Sequence, residues 1–277
     1  MAKSIMIQGT ASNVGKTILT LALCRIFKQD GHRVAPFKAQ NITPNTCTTN
    51  AGEEIAVSQW LQALAAGFNP NADLNPVLIK PLPDRQGTQV FVNGKLFDTT
   101  DLYNFANLKN RLAPKITDAY GRLCAAHDII VIEGAGSPAE LNLNQNDIVN
   151  MGMAKRAKAP VLLVSDIDRG GIFASLYGTL NLLDDSERAH VKATIVNRFR
   201  GEAHLFEDGK AILEKITKLP VSGIIPYIDI NLPEEDTIVI DNFNPDADFE
   251  SQFEAIADTV RKALDMRLIY KILNAGM

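Results

Sequence analysis

The chain has 277 residues, of which 46% are hydrophobic and 22% are charged. This composition is typical of a globular protein and excludes the disordered, collagen-like and disulfide-rich classes. The 28 basic and 32 acidic side chains give a formal charge of −4 without a basic stripe, so a nucleic-acid partner is not expected. Three widely spaced cysteines and the lack of a long apolar run in the sequence favour a cytoplasmic protein without a membrane partner.

Short apolar runs rich in Val and Ile alternate along the chain with helix-like stretches. The runs predict strands at residues 4–8, 33–37, 128–132, 160–165, 193–196 and 221–225. The stretches between them predict helices at residues 16–29, 53–66, 102–126, 172–183 and 205–217. This alternation predicts an α/β fold, with a doubly wound, mostly parallel sheet and helices on both of its faces.

Two segments depart from that alternation. Asn93-Gly94 separates two strand-like runs within residues 88–97, which predicts a β-hairpin with a two-residue turn. Apolar residues at helical spacing predict an amphipathic helix over residues 248–264. We expect residues 1–240 to form one domain and residues 241–277 a helical tail, which packs back on the domain in preference to docking a partner.

Residues 9–17, Gly-Thr-Ala-Ser-Asn-Val-Gly-Lys-Thr, lie between a predicted strand and a predicted helix. The backbone N–H groups of such a loop and the N-terminus of the helix bind phosphates. Its lysine can reach the outer phosphates, and its threonine hydroxyl can bind Mg²⁺, although the first glycine is one place early for the commonest spacing. The sequence therefore predicts a nucleotide site formed by Thr10, Ala11, Ser12, Asn13, Val14, Gly15, Lys16 and Thr17.

Glu133 ends a buried apolar run and is followed by Gly-Ala-Gly. Ligands of doubly wound sheets bind at the carboxyl ends of the strands, so we expect Glu133 to face the phosphate loop and to hold the metal ion. Polar stretches end three further predicted strands and are expected to join this site. They contain Lys38, Gln40 and Asn41, then Asp166, Asp168 and Arg169, and finally Asn197 and Arg198.

Cys47 is the one cysteine in a polar loop. It lies in no strand–turn–helix elbow of the kind that presents a nucleophile, and no histidine is placed as its base. We therefore interpret Cys47 as a residue without a catalytic role.

The chain resembles the N-terminal, ATP-dependent domain of the cobyric acid synthase family, from about Lys3 to Asp236. The phosphate loop, including its longer spacing, is also similar to that of the dethiobiotin synthetases. The resemblance to cobyric acid synthases rests on blocks at residues 8–17 (QGTASNVGKT), 35–41 (APFKAQN), 133–140 (EGAGSPAE), 166–171 (DIDRGG), 197–201 (NRFRG) and 232–236 (LPEED).

This resemblance implies a P-loop, dethiobiotin synthetase-like fold and an ATP- and Mg²⁺-dependent carbon–nitrogen ligase of cobalamin biosynthesis. Family members amidate the b, d, e and g carboxylates of adenosylcobyrinic acid a,c-diamide through acyl phosphates. The resemblance implies catalytic roles for Lys16, Lys38 and Glu133, and metal binding by Thr17 and Glu133. It further implies nucleotide binding by Asn197 and Arg198, and substrate contacts by Gln40 and Asn41. A substrate- or metal-facing rim is implied for Glu140, Asp166, Asp168 and Arg169.

The sequence departs from the family's usual pattern in two ways. Family members usually read Phe-Lys-Pro-Gln-Asn-Met-Ala-Leu-Asn-Ser where residues 37–46 read Phe-Lys-Ala-Gln-Asn-Ile-Thr-Pro-Asn-Thr, so the exact substrate can differ. The family also continues into a glutaminase domain with a Cys-His-Glu triad, for which the residues after Asp236 are too few. We therefore expect a corrinoid substrate and ammonia from a glutaminase domain or subunit outside this chain, and a homodimer stays open.

Three alternatives stay open at this level. The enzyme could amidate another tetrapyrrole acid, such as the a and c carboxylates of cobyrinic acid. It could carboxylate a diamine, as dethiobiotin synthetases do, although the chain length and the EGAGSPAE and DIDRGG blocks disfavour this. Finally, a MinD- or ParA-like ATPase switch would carry a signature lysine in its loop, at the position where this chain has Ala11.

Overall fold

The computed structural model describes residues 2–82, 87–100, 102–142, 147–229, 232, 243–244 and 247–276, with the side chains at 100 and 102–110 left aside. The strands are β1 (Lys3–Gly9), β2 (Val34–Phe37), β3 (Gln40–Ile42), β4 (Thr46–Thr48), β5 (Glu54–Ala56), β6 (Val77–Pro81), β7 (Thr88–Val92), β8 (Lys95–Thr100), β9 (Ile129–Glu133), β10 (Val161–Asp166), β11 (Val191–Phe199) and β12 (Val221–Pro226). The helices are α1 (Lys16–Gln29), α2 (Val57–Ala66), α3 (Leu102–Ala126), α4 (Met151–Ala157), α5 (Ile172–Leu182), α6 (Asp185–Arg188), α7 (Glu207–Thr217), α8 (Glu250–Ala263) and α9 (Met266–Ala275).

The central sheet has six strands in the order β12-β11-β10-β1-β9-β2, and every neighbouring pair is parallel. The predicted α/β fold is thus confirmed, and each predicted strand is present. Strand β1 lies between β9 and β10, so the chain order reverses beside it. Such a switch point opens a crevice at the carboxyl ends of the strands, where ligands of these folds bind.

Side chains that alternate in direction along each strand form a core on each face of the sheet. Ile5 and Ile7 of β1 pack with the apolar sides of α1, α2, α8 and α9, whereas Met6 faces the cluster that includes α3, α4, α5 and α7. Successive side chains of a strand point to opposite faces, so one apolar run serves both layers. No helix in the described ranges has the length and apolarity that a membrane span requires.

The predicted helix at residues 53–66 is wrong at its beginning. Residues Glu54–Ala56 form β5, which pairs antiparallel with β4, and helix α2 begins at Val57. The Glu54 carboxylate also accepts hydrogen bonds from Thr46 and Lys80, and these contacts outside the helix hold the segment in an extended conformation.

A smaller sheet has the strand order β3-β6-β7-β8, and its first strand, β3, comes directly after β2 in the chain. The predicted hairpin is confirmed as β7 and β8, with positive φ values of 48° at Asn93 and 72° at Gly94. These two left-handed residues match the turn type that the right-handed strand twist favours. Strands β3, β4 and β5 were not predicted because each has only three residues, and the five-residue β6 was also not predicted.

The predicted amphipathic helix at residues 248–264 is confirmed as α8. Its apolar residues pack in the core beside α1, and the side chain of Arg25 on α1 pairs with Glu250 and Glu254. The apolar side of α8, which a docking role would use, is therefore covered by the chain itself. The sequence did not predict α9, and the predicted domain boundary at residue 240 lies outside the described residues.

Candidate functional site

The phosphate loop joins the end of β1 to the beginning of α1. Gly15, directly before the helix, has a φ of 97°, and a Cβ there would collide with the side-chain amide of Asn197. Asn197 in β11 donates from Nδ2 to the carbonyl oxygen of Val14 at 2.8 Å. The predicted approach of Asn197 to the loop is thus present, and its contact with a base stays a prediction.

Lys16 is the first residue of α1 and is buried. Its Nζ donates to the carbonyl oxygens of Ala11 at 3.0 Å and Gly136 at 3.1 Å. The Thr10 and Ser165 hydroxyls lie 2.9 Å apart, which connects the loop to the end of β10. The Lys16 ammonium therefore connects the segments that follow β1 and β9, and the Thr10 hydroxyl connects the loop to β10.

The Glu133 carboxylate joins three elements of the site. Its Oε1 accepts hydrogen bonds from Thr17 Oγ1 at 2.8 Å and Lys38 Nζ at 3.0 Å, and its Oε2 accepts one from Gln62 Nε2 at 2.7 Å. The side chain of Glu133 is 0% exposed and that of Lys38 is 5% exposed. Burial alone would raise the pKa of Glu133, but the Lys38 charge and these hydrogen bonds outweigh burial and hold that pKa below its usual range. Glu133 is therefore a buried, ionised carboxylate.

Gln62 was missed by sequence reasoning. It projects from α2, is fully buried, and donates from Nε2 to the backbone oxygen of Thr17 at 3.3 Å as well as to Glu133. Its Oε1 has no hydrogen-bond partner among the described residues. The sequence did carry one signal for Gln62: Gln59 and Gln62 lie about one turn apart on α2, whose other residues are apolar except for Ser58.

The Gln40-Asn41 pair follows Lys38 into the smaller sheet, and both residues are buried. Asn41 Nδ2 donates to Gln59 Oε1 at 2.7 Å and to Ser58 Oγ at 3.3 Å. Asn41 therefore ties the segment after β2 to helix α2. Gln40 Oε1 is buried without a partner in the described part of the chain, and a substrate contact of either residue stays a prediction.

The two aspartates of the predicted rim, Asp166 and Asp168, are held in ion pairs with arginines. Asp166 Oδ2 lies 3.1 Å from Arg198 and 3.8 Å from Arg169, and Asp168 makes a two-point pair with Arg200 at 2.6 and 3.0 Å. Hydrogen bonds from Arg200 lower the pKa of Asp168. The Arg200 guanidinium also lies 3.8 Å from the centre of the Tyr227 ring. Arg200 and Tyr227 were not predicted, although Arg200 stood in the NRFRG block.

Asn150 fixes the loop that follows β9. Its Nδ2 donates to Ala135 O at 2.7 Å, and its Oδ1 accepts from Ala135 N at 3.1 Å. Gly134 is required beside this amide, since a Cβ would collide with the Asn150 oxygen. Asn150 thereby anchors the residue directly before Gly136, whose carbonyl oxygen accepts a hydrogen bond from Lys16. The predicted Glu140, further along this loop, is exposed and makes no side-chain hydrogen bond with the other predicted site residues within the described ranges.

The donor atoms near the phosphate loop suit a magnesium ion. Mg²⁺ prefers oxygen ligands, usually one or two side chains together with water and phosphate oxygens. The Thr17 hydroxyl and the Glu133 carboxylate supply such oxygens. Gln62, whose Oε1 has no partner among the described residues, contacts both Thr17 and Glu133 through Nε2. By contrast, no cluster of three or more His, Cys, Asp or Glu suited to a metal occurs among the described residues.

The family described as the CobQ/CobB/MinD/ParA nucleotide binding domain (CbiA) matches residues 5–239. The chain is 50% identical over 249 residues to a cobyric acid synthase of Listeria monocytogenes, covering 89% of this chain and 48% of that protein. It is 48% identical over 269 residues to a cobyric acid synthase of Yersinia enterocolitica, covering 97% of this chain and 50% of that protein. The chain thus spans about half the length of the curated relatives it matches.

Among solved structures, the MinD cell division protein of Aquifex aeolicus is 14% identical with a TM-score of 0.45, covering 99% of this chain and 96% of that one. The signal recognition particle receptor FtsY of Elizabethkingia anophelis, in complex with GDP, is 18% identical with a TM-score of 0.46, covering 81% and 57%. At these scores neither similarity bears on function.

Proposed function

The chain belongs to the CobQ/CobB/MinD/ParA nucleotide-binding domain family, and from this premise we propose that it is the ATP-dependent synthetase part of a cobyric acid synthase. The proposed substrate is adenosylcobyrinic acid a,c-diamide, whose b, d, e and g carboxylates are converted to amides. The named relatives, both cobyric acid synthases, support this reaction. The proposal places the enzyme in the cytoplasm, where ATP is available.

The observation that carries the proposal is the buried Lys38–Glu133 pair beside the phosphate loop. A lysine held at the carboxyl edge of the sheet can attract a substrate carboxylate, and Lys16 lies in the loop that would bind the phosphates. Glu133 keeps both Lys38 and the Thr17 hydroxyl in place. The arrangement therefore suits the transfer of a phosphoryl group to a carboxylate.

The reaction that we propose has two steps. A carboxylate oxygen of the corrinoid attacks the γ-phosphorus of ATP, the bond to the bridging oxygen breaks, and ADP leaves. Ammonia then attacks the acyl carbon, inorganic phosphate leaves, and the nitrogen loses a proton to give the amide. Lys16 and the loop N–H groups would stabilise the negative charge on the transferred phosphoryl group, which is the main source of catalysis in such reactions.

Thr17 and Glu133 would hold Mg²⁺, which when bound neutralises charge on the β- and γ-phosphates. Thr17 would contact the ion through its hydroxyl oxygen, because its proton is donated to Glu133. Lys38 would orient the reacting carboxylate. The Asp166 and Asp168 side chains, which are paired with arginines, would shape the rim instead of coordinating metal.

Ammonia would come from a glutaminase domain or subunit outside this chain. The test incubates the chain with ATP, Mg²⁺ and adenosylcobyrinic acid a,c-diamide, with either ammonium chloride or glutamine, and follows the amides by mass spectrometry. We expect stepwise amidation with ammonium and none with glutamine. Nucleotide hydrolysis that does not respond to the corrinoid with either nitrogen source would contradict the proposal, and cobyrinic acid in a parallel reaction tests the a,c-diamide alternative.

A further inference from the structure

Gln62 connects three segments that meet at the metal-binding residues. It belongs to α2, which packs beside α1, and its Nε2 reaches both the backbone oxygen of Thr17 and the carboxylate of Glu133. Each of these two residues is a proposed metal ligand. A single side-chain amide therefore contacts both the end of β9 and the first turn of α1.

The orientation of this amide is fixed by its partners. Both atoms that Nε2 contacts, Thr17 O and Glu133 Oε2, can only accept hydrogen bonds. If the amide were flipped, Oε1 would lie 2.7 Å from a carboxylate oxygen, and two acceptors would repel each other. The two protons of Nε2 are thus both used, and Oε1 is necessarily directed elsewhere.

Oε1 is the unusual atom of this side chain. Gln62 is 0% exposed, and its Oε1 has no hydrogen-bond partner among the described residues. Buried polar atoms are nearly always paired, so an orphaned acceptor next to two proposed metal ligands calls for a donor that belongs to the loaded site. Mg²⁺ retains several water molecules in its coordination shell, and each of them is a strong donor.

We propose that Gln62 is a positioning residue of the magnesium site: its Nε2 orients Thr17 and Glu133, and its Oε1 accepts a hydrogen bond from a water of the ion. This inference rests on the proposed function only in requiring Mg²⁺-dependent nucleotide binding. Residues that orient metal ligands in this way commonly change metal affinity about 10- to 100-fold when they are replaced.

The test replaces Gln62 with methionine, which has a similar length and no amide. Gln59→Met is the matched control, because Gln59 is an equally buried glutamine of α2 whose described contacts are Asn41 and Ser58. Calorimetry with a non-hydrolysable ATP analogue gives two quantities. The first is the affinity of the chain for the analogue in EDTA, and the second is the Mg²⁺ concentration at which half of the magnesium-dependent gain in that affinity is reached. For Q62M we expect that concentration to rise about 10- to 100-fold, while the affinity in EDTA stays close to that of the parent chain.

For Q59M we expect the magnesium requirement of the parent chain. An unchanged requirement in Q62M, or an equal rise in Q59M, would overturn the inference, since the second result indicates a general disturbance of α2. If Q62M does not fold, Gln62→Asn decides by the same criterion, because its shorter amide cannot reach both Thr17 and Glu133. A parent chain that binds no nucleotide would refute the proposed function itself, which separates the two failures.

Discussion

Replacing Lys38 with methionine separates charge from packing at the centre of the site. The substitution keeps most of the side-chain volume and removes the ammonium that lies 3.0 Å from Glu133 Oε1. Removing one partner of a buried ion pair typically costs about 3–5 kcal/mol, because the other charge is left without compensation. Thr17 and Gln62 still donate to Glu133, so we expect the lower end, about 3 kcal/mol.

The pH dependence of this loss identifies its cause. In the parent chain the pKa of Glu133 is lowered, so its stabilising contribution is present above the unfolded pKa and is lost as the pH falls through the folded one. Without Lys38, burial raises the folded pKa, and stability is instead lost as the pH rises through it. The penalty of Lys38→Met should therefore grow between about pH 5 and about pH 8.

Urea denaturation at both pH values measures this penalty. Adding Glu133→Gln to Lys38→Met removes the stranded charge and should recover about 2 kcal/mol near neutral pH. Arg33→Gln is the control, because its pair with Asp128 is exposed, and it should leave the free energy of unfolding close to that of the parent chain. A Lys38→Met penalty that is the same at both pH values would refute the electrostatic explanation.

Three further predictions concern separate parts of the chain. Lys16→Ala should abolish nucleotide turnover in a phosphate-release assay without changing the circular dichroism spectrum, and surviving turnover would contradict the phosphate-loop assignment. Burial and a nearby carboxylate raise the pKa of Cys47 to about 12. At about pH 8, iodoacetamide should therefore label Cys47 roughly 50-fold more slowly than free cysteine, by peptide mass spectrometry, and labelling at the free rate would refute this. Arg25→Met should lower the free energy of unfolding by about 1–2 kcal/mol, since it breaks the pairs with Glu250 and Glu254 that hold α8, and an unchanged urea midpoint would show that apolar packing alone holds this helix.

The sequence predicted those elements whose pattern is local. Helix α1 has the predicted bounds, and the buried strands of the central sheet were visible as continuous Val- and Ile-rich runs. The beginning of α2 was wrong because no glycine or proline separates Glu54–Ala56 from the helix that follows, while the strand conformation of Ile55 depends on pairing with Cys47. Asp168 was predicted as a rim residue, but its pairing with Arg200 follows from the adjacency of β10 and β11, which no local pattern reveals.

In the candidate site too, the sequence predicted where residues lie better than it predicted which residues they contact. The rule that strands of a parallel sheet end at one edge was enough to bring Glu133 and Lys38 towards the phosphate loop. The partners of Glu133 lie 116, 95 and 71 residues away in the chain, at Thr17, Lys38 and Gln62. Gln62 alone follows no strand, so the edge rule could not select it. The cost of burying an unpaired amide could have identified Gln62 from the sequence. A glutamine on the apolar side of a helix requires a polar partner in the core, and an acid at the end of a neighbouring buried strand supplies one.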